Sequence, residues 1–342
     1  MKKLKNTDRP LFLQIKEKIY EQILDGRFSP GEKIPTEAKW AKDFAVSRVT
    51  VRKALDELKK EAVISSVQGQ GTIVTFDQNV SKGTLETIAV VAGANDQFVG
   101  SFLEALDLNA TEKDALVVFK SDPLLKADDA SNTFKTLYKR KIRNCVLWPN
   151  NGFDDEDLLY RLRLLGMNLV FFDHSYDSTY ADSVTLDNED AISSLYSEAK
   201  NRGSKTVAFL GWNNVPLSST KERIESFSSL DGNKNLHLFG KGPQLDSEIS
   251  TFLKNADKLP DAFICGNGDL AVSLRRSLGE LSNDAPLILS VDSFPKTYFP
   301  EIVCYEQPLN KMAEKVFECL VNQNDEKVKW KSQTYKICGR II

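Results

Sequence analysis

Long apolar runs are missing from this 342-residue chain. No stretch approaches the roughly 18 consecutive apolar residues that a membrane-spanning helix needs, so an integral membrane protein is not expected. The amino terminus, MKKLKNTDRP, is basic but no apolar segment follows it, so no signal peptide is expected either. Histidine is scarce: His174 and His237 are the only two. The five cysteines (Cys145, Cys265, Cys304, Cys319 and Cys338) are odd in number and widely spaced, with no CxxC and no short Cys/His pair. A disulfide framework and a structural zinc site are therefore not expected, and the thiols read as small buried hydrophobes in a reducing, cytoplasmic setting. The phosphate-binding and nucleophile motifs are also absent: there is no GxGxxG, no GxxxxGK[ST] and no GxSxG. With only two histidines and no nucleophile motif, no catalytic residue, no cofactor and no bound metal are expected.

What is present is ordinary globular composition, 41% hydrophobic and 27% charged, in a length that suits two or three domains. The net charge of −3 hides an asymmetry. Residues 1–80 carry 15 Lys and Arg against 11 Asp and Glu; the remainder carries 30 against 37. A basic head on an acidic body suits a protein whose head alone meets an anion such as DNA, although a solvated basic domain has the same arithmetic.

The head reads as helices followed by a hairpin. Ile15, Ile19, Ile23 and Leu24 lie on one helical face, and Asp25-Gly26 ends it. Thr36 is placed to cap a second helix that buries Trp40, Ala41 and Phe44. After a break at Ala45-Val46, Ser47 caps a third, whose apolar stripe is Val51, Ala54, Leu55 and Leu58. Two β-prone runs, 63–67 and 72–74, flank the Gly-containing turn 68–71. Helices and hairpin in this order predict an N-terminal α+β winged helix-turn-helix over 1–76, then a polar linker over 77–84. Arg48, Val49, Arg52 and Lys53 lie on the opposite face of the third helix, near its start. Arg can fork to guanine in the major groove, while Lys and hydroxyls hold phosphates beside a helix N-terminus. A merely solvated basic face is the bland alternative.

The stretch from PLFLQIKEKIY to QGQGTIV resembles the GntR-family DNA-binding domain along its whole length. Three family motifs stand in order: the turn running to PGEKIPTE, the helix VSRVTVRKAL and the wing QGQGTIV. The resemblance implies DNA contacts from Ser47, Arg48, Thr50 and Arg52 and from a wing tip of Gln68, Gly69 and Gln70, with Thr36 and Lys53 as further candidates. Ala38 stands where the family usually has Arg, and Val67 and Gln70 stand where it often has Arg, which implies fewer phosphate contacts.

From residue 85 the pattern becomes an alternation of unbroken apolar runs (88–92, 115–119, 145–148, 169–172, 207–210, 262–265 and 287–291) with helical stretches (155–165, 188–200, 269–281 and 310–321). That alternation predicts doubly wound parallel sheets, and the 258 residues of 85–342 fit two lobes with a ligand cleft between them. Polar groups gather past the strand ends: Asn95-Asp96, Asp173-His174, Asp187-Asn188, Asn213-Asn214, Asn267 and Asp292. Phe98, Phe102, Trp148, Phe172, Trp212 and Phe294 accompany them. Carboxylates and amides hydrogen-bond sugar hydroxyls and aromatic faces cover sugar C–H surfaces, so the cleft is expected to take a small sugar. Any one of these Asp or Asn residues could instead be a helix N-cap.

The body resembles the LacI-type effector domain, related to periplasmic sugar-binding proteins, in segments such as TIAVVAGANDQFVGSFLEAL, PDAFICGNGDLAVSLRRSL, SVDSF and CYEQPLNKMAEKVFECL. The resemblance implies ligand contacts from Asp96, Phe98, Arg223, Asn267 and Asp292, with Trp212 as an aromatic candidate. Near-normal stability is then expected when Arg223 is removed, whereas a structural ion pair of Arg223 with Asp292, the alternative, predicts a lower melting temperature. Together, the two resemblances are those of the arabinose-regulator subgroup of the GntR family. They imply a cytoplasmic homodimer that binds a double-stranded DNA operator and a sugar effector, represses carbohydrate-utilisation genes and has no membrane partner. A sugar- or nucleotide-processing enzyme with an accessory DNA-binding head, and a constitutive DNA-binding module, stay open as alternatives.

Overall fold

The structure, a computed structural model, describes residues 9–29, 31–61, 63–75, 85–93, 97–122, 127–149, 153, 155–231, 234–279, 285–292, 299–325 and 329–342. The expected linker, 77–84, lies outside them.

The head begins with α1 (Leu11–Leu24), whose Ile15, Ile19 and Ile23 are buried. In α2 (Glu37–Phe44) the Thr36 Oγ1 accepts from the Lys39 amide at 3.4 Å. Trp40 stacks on Phe44 at 5.2 Å in the head core. Ala45 then turns the chain in the left-handed region (φ 54), a conformation that suits glycine better than alanine. The turn feeds α3 (Arg48–Lys60), where Ser47 Oγ accepts from Thr50 N at 3.1 Å and satisfies a free amide of the first turn. The wing is β1 (Ile64–Val67) against β2 (Gly71–Val74), antiparallel, with Gly69 and Gly71 at positive φ in the turn. Residues 31–34 lie along β2, where Ile34 N donates to Thr72 O at 2.9 Å.

The body holds β3 (Thr87–Ala92), α4 (Gln97–Thr111), β4 (Leu116–Ser121), α5 (Ala127–Lys139), β5 (Asn144–Trp148), α6 (Glu156–Leu164), β6 (Asn168–Phe172) and β7 (Asp182–Leu186) in its first stretch. Next come α7 (Asn188–Asn201), β8 (Val207–Trp212), α8 (Ser218–Asp231), β9 (Leu236–Phe239), α9 (Leu245–Asn255), β10 (Ala262–Cys265), α10 (Gly268–Leu278), β11 (Leu287–Val291) and β12 (Val303–Glu306). The chain closes with α11 (Leu309–Asn324), β13 (Thr334–Ile337) and β14 (Arg340–Ile341).

Two six-stranded sheets result, β13-β7-β6-β5-β3-β4 and β14-β12-β11-β10-β8-β9. All described pairings in the body are parallel except β12 with β14. Apart from the last-formed edge strands, both lobes share one order, in which the second strand flanks the first on one side and the third on the other. The strand ends at that switch are where open α/β sheets bind ligands. The seven apolar runs read from the sequence are strands; β5, β6 and β10 are buried along their whole length, whereas β4, at a sheet edge, is half-exposed. The helix expected over 269–281 stops at Leu278, because Gly279 adopts positive φ.

The chain passes between lobes three times: after β7 at Asp187, after β12 at Gln307, and between β13 and β14 at Cys338-Gly339. These crossings touch. Asp187 N donates to Ile337 O at 3.0 Å, and Gly339 N to Tyr305 Oη at 2.7 Å. The Tyr305 hydroxyl in turn donates to Asp190 Oδ2. A Cβ on Gly339 would lie 2.2 Å from Glu306 O, so only glycine passes here.

The head rests on the first lobe. One hydrophobic cluster runs from Ile15, Ile19 and Ile23 of α1 into Phe134, Leu137 and Leu162 of α5 and α6. Tyr20 meets Tyr138 hydroxyl to hydroxyl, with ring centroids 4.5 Å apart. Lys139 pairs with Glu21 at 2.9 Å, Lys135 pairs with Asp25, and Arg161 lies against Gly26.

Candidate nucleic-acid interface and ligand cleft

The core-facing stripe of α3 leaves its other face to solvent. Arg48, Val49, Arg52 and Lys53 are all exposed there. Arg48 has no ion-pair or hydrogen-bond partner among the described residues. Arg52 has one: its Nε lies 3.2 Å from both Glu37 carboxylate oxygens and its Nη2 donates to Oε2 at 2.9 Å. This bond holds the Glu37 carboxyl below its ordinary range and the guanidinium above its own. Glu37 thus sets the direction in which Arg52 extends, a role that sequence reading missed because the partners are 15 residues apart. Lys53 Nζ lies over the Phe12 ring at 4.2 Å. Ser47 Oγ and Thr50 Oγ1 are 2.7 Å apart, so both hydroxyls sit at the helix start beside its free amides. Thr36 is likewise a cap, at the start of α2. Gln68, Gly69 and Gln70 form the exposed wing tip, and the Lys33 side chain lies against Gly71 at its base.

In the body, the ends of β6, β10 and β11 and the start of α8 bring together a buried polar group. Arg223, only 8% exposed, donates from Nε to Asn188 Oδ1 at 2.7 Å and from Nη1 to Gly266 O at 2.6 Å. Its Nη2 has no partner among the described residues. Asp292 sits at φ 88 just past β11. Its Oδ2 accepts from Gly268 N at 3.1 Å and its Oδ1 from Gln307 Nε2 at 2.6 Å. Burial pushes the Asp292 carboxyl above its ordinary range, against the pull of Arg223 and of these bonds. Asp173, at φ 66 past β6, is the counterpart in the other lobe. Two left-handed aspartates at strand ends are strained positions, of the kind that gather at binding sites.

The lobes are joined across this group. Ser175 N donates to Ser218 Oγ at 2.9 Å and Ser175 Oγ to Glu222 Oε1 at 3.1 Å. Asn188 Nδ2 donates to Glu222 Oε2 at 2.9 Å. His174 is buried, with Nδ1 3.4 Å from Ser219 Oγ, and burial pushes its pKa down, which favours the neutral imidazole. Two buried acceptors, Asp173 Oδ1 and Gln307 Oε1, have no hydrogen-bond partner among the described residues. A buried acceptor without a donor is costly, so these atoms are open to a donor brought by a ligand.

Of the expected ligand contacts, Arg223 and Asp292 share this cleft. Asn267 lies beside them, but its Oδ1 caps α10 by accepting from Leu270 N at 3.2 Å. Phe98 is half-buried and packs edge-on to Trp148, centroids 5.5 Å apart, in a cluster with Phe102 and Phe172. Trp212 packs with Phe239 and Phe263 on the α9–α10 side of its sheet. Asp96 and Phe294 lie outside the described residues. Asp187 caps α7 through Asp190 N at 3.1 Å. The sequence reading treated Arg223 as free for ligand; the structure has it bonded to Asn188 and Gly266 as well, so its removal exposes two unpaired groups. Glu222, Ser175 and Gln307 were missed. An open cavity of about 530 Å³ between Arg202, Ser204, Asp261, Leu287 and Glu301 lies at the opposite ends of the second sheet's strands. Among the described residues no helix is long and apolar enough to cross a membrane, and no His/Cys/Asp/Glu group could hold a metal ion.

Comparison with known proteins agrees with both halves. The arabinose metabolism transcriptional repressor of Geobacillus stearothermophilus is 22% identical over 95% of this chain and 94% of its own length. The trehalose repressor from Escherichia coli superimposes with a TM-score of 0.63 at 19% identity, covering 76% of this chain and 100% of that one. The Cra transcriptional dual regulator from Pseudomonas putida, in complex with fructose 1-phosphate, gives 0.63 at 15% identity over 75% of this chain and 98% of that one. Several further superimposable structures are LacI-type regulators, among them the lac repressor dimer on its operator. The family profile of bacterial regulatory proteins of the gntR family matches residues 11–74. Residues 11–74 therefore match the gntR-family model and form a winged head, set on a two-lobed body with the fold of the LacI-type regulators.

Proposed function

We propose that this protein is a sequence-specific, DNA-binding repressor of carbohydrate-utilisation genes, controlled by a small sugar bound between the lobes. The observation that carries the reading is the pair of buried, unpartnered acceptors, Asp173 Oδ1 and Gln307 Oε1, in a chain whose gntR-family head exposes a basic helix start. Sugar hydroxyls supply the donors these acceptors need, and Arg223 Nη2 supplies a donor in return. The cleft holds three carboxylates, Asp173, Glu222 and Asp292, against one guanidinium, and burial disfavours a positive charge on His174. Such a site favours an uncharged sugar over a sugar phosphate.

Gln307 stands at an interlobe crossing, so a ligand that bonds it and Asp292 favours one lobe angle. From the cleft, Glu156 at the start of α6 accepts from Ser178 Oγ and Thr179 N, at 3.1 and 3.2 Å, and Arg161 near its end lies against the head. Helix α6 thus spans from the interlobe loop to α1, and lobe closure moves the surface on which the head rests. A coupling of about 1–3 kcal/mol between sugar and operator is expected, and only through different affinities for the two states.

The reading includes a homodimer, as two heads reading two half-sites require. Leu116 and Phe119 on edge strand β4, Leu108 on α4 and Leu238 on edge strand β9 are exposed, and these open edges suit pairing with a second copy. The site is one for binding without turnover, in a cytoplasmic regulator. The test is a thermal-shift screen of free monosaccharides beside their phosphates, followed by operator release against the concentration of any stabilising sugar. Stabilisation by sugar phosphates alone, or conversion of a sugar during incubation, overturns it.

A further inference from the structure

Val49 is the most exposed of the large hydrophobic side chains described, at 74%. It is the second residue of α3, between Arg48 and the Ser47–Thr50 hydroxyl pair, with Arg52 one turn further on. The head core does not use it: α3 packs inward through Val51, Ala54, Leu55 and Leu58. A β-branched side chain also lowers helix propensity, so neither packing nor local structure calls for valine here. Side chains on a helix tilt toward its N-terminus, so on a recognition helix that enters the groove by its N-terminal end, Val49 is carried toward the base edges. Of the groups on those edges, only the thymine C5 methyl is apolar.

We infer that Val49 selects thymine at one position of each operator half-site by packing its isopropyl group on the C5 methyl. This rests on the DNA-binding reading above and extends it from affinity to base choice. Arg48 beside it is a cation with no partner among the described residues, while Arg52 is directed by Glu37; these supply polar contacts, and Val49 supplies discrimination at a pyrimidine that polar side chains read less well.

The test uses the full-length protein and a duplex enriched by it from a random library. Each thymine of that duplex is replaced in turn by dU, which removes the methyl and nothing else. One thymine per half-site is expected at which dU weakens wild-type binding about 4-fold, the value of burying one methyl group. Val49→Ala should bind the dT and dU duplexes alike and match wild type on dU; Val49→Thr, which keeps a methyl, should retain part of the preference. Unchanged circular dichroism melts show that the variants fold. The inference is overturned if no single methyl matters to the wild type, or if Val49→Ala shows the same dU penalty. If instead no duplex is enriched at all, the DNA-binding reading itself fails, an outcome distinct from loss of methyl discrimination.

Discussion

Replacing Arg223 by alanine should weaken the ligand-free protein, not only its response to sugar. The guanidinium makes two short bonds in the interior, to Asn188 Oδ1 and to Gly266 O. A hydrogen bond involving a charged group contributes about 1.5–3 kcal/mol, and alanine leaves both acceptors without a donor. Water entering the vacated volume recovers part of the loss, so a net cost of about 2–4 kcal/mol is expected. For a body of this size that corresponds to a fall in Tm of roughly 5–10 °C. An exposed ion pair would contribute less than about 1 kcal/mol, so the two cases are separable. Urea unfolding without sugar, at fixed protomer concentration, is the assay. Asn188→Ala alone and in combination completes a double-mutant cycle; because the pair shares one bond, the double variant should be less destabilised than the sum. If Arg223→Ala unfolds within about 0.5 kcal/mol of wild type, its bonds do not brace the lobe, and the interior position assigned to this side chain is wrong.

Gly339→Ala should cost about 1–3 kcal/mol, since its Cβ would press on Glu306 O and Tyr305 at the interlobe crossing; unchanged melting would refute the crowding. Ala45→Gly relieves a left-handed alanine worth about 1–2 kcal/mol, offset by about 0.4–1 kcal/mol of glycine freedom in the unfolded chain, so head amides should exchange no faster and up to several-fold slower. Asp182 accepts from Gln323 Nε2, Trp330 Nε1 and Gln333 N, and burial raises its pKa above the ordinary 3.8. A raised carboxyl pKa contributes stability that is complete below the unfolded value and lost as pH rises through the folded one. The stability gap between wild type and Asp182→Asn should therefore narrow with rising pH just above 3.8 and then level off; a gap that widens over that window contradicts the burial effect.

The parts of this fold that were readable in sequence are those whose cause is local. Strands β3, β5, β6 and β8 announce themselves as apolar runs because helices cover both faces. The caps at Thr36 and Ser47 and the stripe of α3 are equally local. Strand β7 was missed although it is fully buried, because its sequence DSVTL is polar: Asp182 is satisfied by partners 141 and more residues away. Edge strands β9 and β13 are half-exposed and lack the apolar signature. In the cleft, Asp292 and Arg223 were legible through resemblance, whereas Ser175, Glu222 and Gln307 acquire their roles only from neighbours across the crossings. Asn267 shows the limit of reading single polar residues, since its carbonyl oxygen is occupied as a helix cap.

The route of the chain between lobes also sets an order of events during synthesis. The helices and wing of the head lie within residues 11–74 and so emerge first, although α1 also packs on α5 and α6 of the first lobe. The first lobe cannot follow at once. Its α4 face is covered by Met312, Val316 and Leu320 of α11, and its outer edge strand is β13. Some 200 residues must be made between α4 and α11, roughly 10–40 s at bacterial and eukaryotic elongation rates. During that interval the apolar face of α4, with Phe102 and Leu106, waits for a partner encoded near the other end of the chain. The nascent chain thus carries its winged head on a first lobe that is still incomplete. Truncations between residues 187 and 308 should yield heads that still bind DNA and bodies that fall to proteases.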